Sequence, residues 1–473
     1  MAESIKKNVL MVILKNISLL VFPLITFPYL SRVLGPEGMG IINFATTFSN
    51  YFMLIPTMGI SMYGAREIAI ARDNKRKLTK NFKEILIITL LFTFSMFFLY
   101  LITIISFEKY NKNFVFYLIF GFGIITNSVS IEWLYTGLEK FSYTVSRGII
   151  IQSLYIISIF IFVKNEKDII FIPILLLLSS FIQMLINFYY SKKFINYDQK
   201  FHLKIYSRIK PILIITIGTL ASTIQVTMDI IMLGFLTSDW NVGIYNAAIR
   251  INRIVIGLLI SLGAIFYSRL SNVYGNNKKD EANIISQNWL KYILMIVYPS
   301  IIGIFILSDE IILLLAGNEF KASIFTSRLM SIIILFSVLT NFFAIQLYSN
   351  KKEKTAIKIN IIGVIVGFVF NIIFIPLYKH NGAAIGTIMI SFIVSFLHMY
   401  YTKKYINIKI DFRIKYILYS LIMGIVLLKV KSYLDYKIYI NILIITFLGG
   451  LIYFGILFIF KEINLEEIKL KGK

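Results

Sequence analysis

The chain has 473 residues, 58% of them hydrophobic, with a mean hydropathy of +0.79 and a formal net charge of +24. Such hydropathy excludes a soluble fold, and polar gaps of at most roughly 20 residues exclude a sizeable extramembrane enzyme domain. With no cysteine and three scattered histidines (His202, His380, His398), disulfide frameworks and metal-ligand spacings are excluded as well, and no metal or other cofactor is expected.

Apolar runs that can cross a hydrocarbon core of about 30 Å lie near 10–34, 40–64, 85–105, 114–136, 146–163, 169–190, 211–236, 242–268, 289–308, 324–348, 359–378, 383–401, 416–434 and 438–460. All are expected to be helices, because lipid cannot satisfy an open backbone. The fold class is therefore an all-α polytopic membrane protein of about 14 spans.

Lys6 and Lys7 precede the first run, as in a signal peptide. No small-residue cleavage site follows, so the run reads as a retained span. It carries Lys15 and Arg32, and Pro23 and Pro28 are expected to bend it; Pro56 should bend the second span. A turn, Gly35-Pro36-Glu37-Gly38, separates the two, and Asn43, Thr47 and Asn50 follow in the second. The fourth span ends on Glu132-Trp133. The seventh holds Asp229, with Ser222 and Gln225 on the same helical face. The eighth carries Asn246, Arg250, Arg253 and Gly257, and the tenth carries Arg328. Lys429 and Lys431 make the thirteenth the weakest span.

Charge orients the chain. Of the 48 Lys and Arg residues, 34 fall in alternate gaps that would face the cytoplasm if the N-terminus does, 9 on the other side and 5 inside spans. This asymmetry places both termini in the cytoplasm, and the Ile/Lys/Asn-rich composition suggests an AT-rich bacterial genome, hence a bacterial cytoplasmic membrane. Because the basic clusters flank spans, they do not point to nucleic acid.

The chain also repeats itself. At an offset of 203, Asn43-Phe44-Ala45 falls on Asn246-Ala247-Ala248, with Gly40 on Gly243 and Ile41 on Ile244. Two six-helix lobes in tandem, 1–200 and 201–405, are expected, followed by two further helices and a cytoplasmic tail in 406–473.

A charge at mid-bilayer costs about 2.5–3.5 kcal/mol on insertion scales, so the five intramembrane bases are functional suspects. Arg32 and Arg328 stand near span ends, where they can snorkel; Arg32 is kept among the cavity candidates. Arg250 and Arg253 share a helix face with Asn246, and guanidinium forks suit phosphate oxygens. They read as a pyrophosphate-binding wall or as partners of Asp229. The repeat maps Asn246, Arg250 and Arg253 onto Asn43, Thr47 and Asn50, a neutral stripe, and Lys15 completes the substrate-binding set. Asp229 and Glu132 are the candidate H⁺- or Na⁺-coupling acids; each could equally balance nearby arginines. No P-loop or other catalytic constellation is present, so no enzyme is expected.

These residues resemble a known family. Leu34-Gly35-Pro36-Glu37-Gly38-Met39-Gly40 with Asn43-Phe44-Ala45, Glu132-Trp133-Leu134-Tyr135-Thr136-Gly137-Leu138-Glu139, and Asn381-Gly382-Ala383-Ala384-Ile385-Gly386 are similar to motifs of Wzx-type polysaccharide flippases. These belong to the multidrug/oligosaccharidyl-lipid/polysaccharide exporter superfamily. The resemblance implies a lipid-linked oligosaccharide, usually on undecaprenyl diphosphate, turned from the inner to the outer face by alternating access of the two lobes. The product would serve capsule or O-antigen synthesis, with membrane lipids, a polysaccharide polymerase and glycosyltransferases as partners. Rival readings are a flippase for the lipid-linked peptidoglycan precursor and a drug/cation antiporter. Five intramembrane bases against two acids disfavour the antiporter. A membrane polymerase or ligase would need a larger outer loop than 309–323.

Overall fold

A computed structural model describes residues 5–107, 110, 113–406, 408 and 410–462, without the side chains of 5–9, 19, 20 and 218. The side chains of Lys6 and Lys7 and the expected tail from residue 463 lie outside the described residues. Those described form helices and connecting turns, with no strand among them. By internal packing the chain makes two compact units, Met1–Ile231 and Met232–Lys473.

The first unit holds α1 (Ile5–Ala71), α2 (Lys75–Ser106), α3 (Phe114–Ser128), α4 (Glu132–Gly137), α5 (Phe141–Phe162), α6 (Phe171–Ser191) and, as far as Ile231, α7 (Tyr206–Leu236). α1 contains the first two predicted spans. Its interruption lies at Gly35 (φ 62°, ψ −176°) rather than at Pro23, Pro28 or Pro56. Glycine adopts this positive φ without a Cβ clash, and the extended ψ is what Pro36 imposes on the residue before it.

α7 opens the second predicted lobe, yet packs with the first unit. At its start Arg208 donates to Glu84 (2.6 Å), Glu67 (3.1 Å) and Asn81 (2.7 Å), so a nearly buried guanidinium is matched by two carboxylates. Further along, a Cβ on Gly59 would fall 2.0 Å from Thr216 Oγ1. Only glycine lets α1 and α7 approach this closely.

The second unit holds α8 (Asp239–Ser261), α9 (Gly263–Gly275), α10 (Lys279–Leu315), α11 (Ser323–Met330), α12 (Ile333–Ser349), α13 (Glu353–Ile406), α14 (Ile414–Lys431) and α15 (Ile438–Ile459). Its core centres on Trp289, stacked on Phe266 at 4.6 Å and packed against Phe342. α13 contains the eleventh and twelfth predicted spans, interrupted at Lys379 (φ 53°, ψ −127°). Just beyond, a Cβ on Gly382 would lie 1.9 Å from the Phe374 carbonyl, which fixes the glycine of the Gly-Ala-Ala motif. The additional helices α14 and α15 pack on α10 within this unit: a Cβ on Gly424 would meet Ile302 at 2.7 Å.

Eleven helical stretches among the described residues are long and apolar enough to cross a membrane. Two features lower this count from the expected fourteen. α1 and α13 each join two predicted spans, and α14 is not among the eleven, because Lys415, Lys429 and Lys431 fall within its 18 residues.

Candidate functional site

Two places in the fold gather intramembrane polar chemistry, one in each unit. In the second unit it is α8. Ser323 Oγ donates to the Ile244 carbonyl (2.9 Å), and Tyr245 Oη lies 3.1 Å from Thr387 Oγ1, which ties this helix to α11 and α13. Successive residues of a helix are about 100° apart. Asn246, Arg250 and Arg253 therefore share one face, and Ile251 and Val255 lie on nearly the opposite one. Both arginines are half-buried. Ile251 and Val255 line an apolar cavity of about 400 Å³, completed by Gly303 of α10, Leu427 of α14, and Gly449 and Tyr453 of α15. One helix thus carries two guanidiniums on one side and the wall of an apolar cleft on the other.

The first-half counterpart of that stripe has matching local geometry. Asn43 Nδ2 donates to the Met39 carbonyl (2.7 Å), and Asn246 Nδ2 to the Val242 carbonyl (3.1 Å). Both the asparagines and their acceptors are related by the offset of 203 residues. Thr47 bonds back to the Asn43 carbonyl (2.7 Å), and Asn50 is exposed on the next turn.

In the first unit the chemistry gathers where the fourth predicted span breaks. α3 ends at Ser128 and α4 begins at Glu132, with Ile131 between them at φ 50°, ψ 28°. A β-branched residue in this left-handed region is a genuine outlier, and such strain costs about 1–3 kcal/mol. Asn187 of α6 supports the break. Its side chain donates to the Ser130 carbonyl (2.6 Å) and accepts from Tyr143 (3.1 Å) and from Arg147 Nη1, and its carbonyl accepts from Tyr135.

The break presents Glu132. Its Oε1 accepts from Arg147 Nη2 (2.5 Å) and Gln183 Nε2 (2.9 Å), and among the described residues no donor reaches Oε2. Arg147 is buried, whereas the Glu132 side chain is 41% exposed. It borders a cavity of about 460 Å³ that Asn50, Asn127, Gln183 and Thr223 also line. Sequence reasoning missed three members of this group. Arg147 was counted among the bases of the gaps facing the cytoplasm, and Gln183 and Asn187, in the sixth apolar run, were given no role. The spacing of four between Gln183 and Asn187, one helical face, was the one available signal.

The motif around Glu132 is a packing device. Trp133 lies against Gly64, where a Cβ would approach its ring to 2.9 Å. A Cβ on Gly137 would stand 2.6 Å from the Ala65 carbonyl, and Glu139 pairs with Arg72 at 2.9 Å. The motif thus seats α4 on the end of α1.

The remaining predicted residues are dispersed. Lys15 is exposed on α1, and Arg32 donates to the Pro28 carbonyl (2.7 Å). Asp229 is buried in the first unit, and its Oδ1 accepts from the Ile230 amide (2.8 Å). Arg328 grips Asp309 with bonds of 2.9 and 2.7 Å. Lys431 reaches the Ile306 carbonyl (2.7 Å) and Glu310 (2.8 Å) and joins the cluster. Asp309 and Glu310, which open the segment 309–323 read from the sequence as an outer loop, thus form an ionic clamp among α10, α11 and α14. Among the described residues no group of acids and histidines could hold a metal ion.

Residues 5–267 match the family described as polysaccharide biosynthesis protein, and residues 211–373 match the MatE family. A putative O-antigen transporter of Escherichia coli K12 is 25% identical over 423 residues, covering 85% of this chain and 97% of the relative. A probable low-salt glycan biosynthesis flippase of Haloferax volcanii, Agl15, is 24% identical over 247 residues, covering 51% of this chain and 52% of that one. In fold, the chain is similar to the lipid II flippase MurJ in an inward closed conformation, with a TM-score of 0.75, 18% identity and coverage of 96% and 99%. It is also similar to an inward-facing multidrug resistance MATE transporter, with a TM-score of 0.65, 15% identity and coverage of 82% and 94%.

Proposed function

The chain belongs to the polysaccharide biosynthesis protein family, within the multidrug/oligosaccharidyl-lipid/polysaccharide exporter superfamily, and from that premise we propose that it is a flippase for lipid-linked oligosaccharides. The substrate we assign is an oligosaccharide repeat unit on undecaprenyl diphosphate. It is carried from the inner to the outer face of the bacterial cytoplasmic membrane for capsule or O-antigen synthesis, with both termini in the cytoplasm.

The two-sided character of α8 carries this reading. A polyprenyl-diphosphate saccharide has a dianionic link between an apolar tail and a polar head. Arg250 and Arg253 supply fork-shaped donors suited to the diphosphate, and the cleft behind Ile251 and Val255 offers an apolar surface to the tail. Alternating access then moves the head across without exposing it to lipid. Coupling to H⁺ or Na⁺ is assigned to the acids Asp229 and Glu132. If transport continues unchanged when both gradients are collapsed, that assignment is wrong.

The cellular test is Arg250→Ala combined with Arg253→Ala. We expect normal insertion and no surface polymer. Normal polymer from the double variant would overturn the role given to α8.

A further inference from the structure

We propose that the cavity beside Glu132 is a saccharide pocket that holds one sugar residue of the substrate head. This rests on the flippase reading and assigns one part of the ligand to one place in the first unit.

The volume, about 460 Å³, falls in the range of roughly 300–1,000 Å³ usual for small-molecule sites. The walls combine neutral amides and hydroxyls from four helices: Asn50 of α1, Asn127 of α3, Gln183 of α6 and Thr223 of α7. Two further lining residues, Ser128 and Trp133, each bury a polar atom, Oγ and Nε1, that has no hydrogen-bond partner.

Charge selects the ligand class. Glu132 is paired with Arg147 and bonded by Gln183, so the carboxylate is compensated before any ligand arrives. A bare cation gains little there, and a diphosphate would meet the open carboxylate oxygen. A neutral polyol suits both needs. Its hydroxyls donate to Glu132 Oε2 and accept from the side-chain amides of Asn50 and Asn127. The strained break at Ile131 holds Glu132 at the cavity wall, consistent with strain being kept where it serves a site.

The test uses the full-length protein in detergent with Trp240 and Trp289 replaced by Phe, so that Trp133 is the one tryptophan reporter. It is titrated with a panel of water-soluble sugars (glucose, galactose, rhamnose, N-acetylglucosamine and glucuronate), with NaCl, and separately with sugar-free undecaprenyl diphosphate. We expect at least one sugar to shift Trp133 emission saturably. Asn50→Leu should weaken that response about tenfold, the loss of one hydrogen bond to a ligand. If the tryptophan replacements unfold the chain, the same titrations are read by ligand-observed NMR on the native sequence with and without Asn50→Leu. No response to any sugar, a response only to Na⁺, or a sugar response indifferent to Asn50→Leu overturns the pocket. If undecaprenyl diphosphate still binds through Arg250 and Arg253 in that event, the flippase reading stands and the pocket alone falls. Loss of both refutes both.

Discussion

Arg147 Nη2 stands 2.5 Å from Glu132 Oε1, joining the helix that follows the broken fourth span to the short helix that restarts it. The guanidinium is buried and its partner is partly exposed, so the loss of one member is felt unequally. Arg147→Met removes bonds to both Glu132 and Asn187. We expect it to destabilise the first unit by about 1–3 kcal/mol, below the 3–5 kcal/mol of a fully buried pair broken on one side. Thermal unfolding in detergent measures it. Glu132→Gln keeps the acceptor for Gln183 but leaves the buried guanidinium without a counter-charge, and should cost at least as much.

Gly382→Ala should be far worse than its size suggests. The new methyl would lie 1.9 Å from the Phe374 carbonyl, and backbone cannot swing aside as a side chain can. Gly455→Ala, where nothing stands within 4 Å, is the matched control. Membrane yield and melting temperature should fall for Gly382→Ala and hold for Gly455→Ala.

Lys431 looked like a flaw in the thirteenth span and is instead a fastening. Lys431→Met leaves Glu310 without its salt-bridge partner and takes one cation from Asp309. We expect a lower melting temperature with transport retained in the protein that stays folded.

Below the last helix, Glu462 supplies a pH dependence. Burial pushes its carboxyl up, but the Lys415 ammonium and the Tyr416 hydroxyl outweigh that and hold it below its ordinary value of 4.5. A depressed folded-state value stabilises above the ordinary carboxylate range, and that contribution is lost as pH falls through the depressed value. Melting temperature should therefore drop more steeply below pH 4.5 in the native sequence than in Glu462→Gln.

What hydropathy and punctuation could show was legible in the sequence. Apolar run length marked the helices, and Gly35-Pro36 marked the reversal inside α1, because a glycine before a proline is a backbone instruction readable without tertiary context. The Asn43 and Asn246 match was legible as a repeat. Arg147, Gln183 and Asn187 were not, because each lies in a different part of the chain from Glu132 and only folding joins them. Arg147 was also hidden by the same statistic that oriented the protein, since a base at a span end counts as a label until a partner is seen. Lys429 and Lys431 rightly marked the thirteenth span as the weakest, but the pairing of Lys431 was not legible, because hydropathy scores a lysine the same whether it meets lipid or a carboxylate.

The central claim is that this protein turns a diphosphate-linked saccharide lipid across a bilayer through Arg250 and Arg253. The most direct measurement reconstitutes it in vesicles whose inner leaflet carries a fluorescent undecaprenyl-diphosphate oligosaccharide, with outer-leaflet exposure read by a membrane-impermeant lectin or glycosidase. We expect protein-dependent exposure with the native sequence and background exposure with Arg250→Ala and Arg253→Ala together. Equal exposure from native and double-variant vesicles, or none from the native protein when correctly inserted, would contradict it.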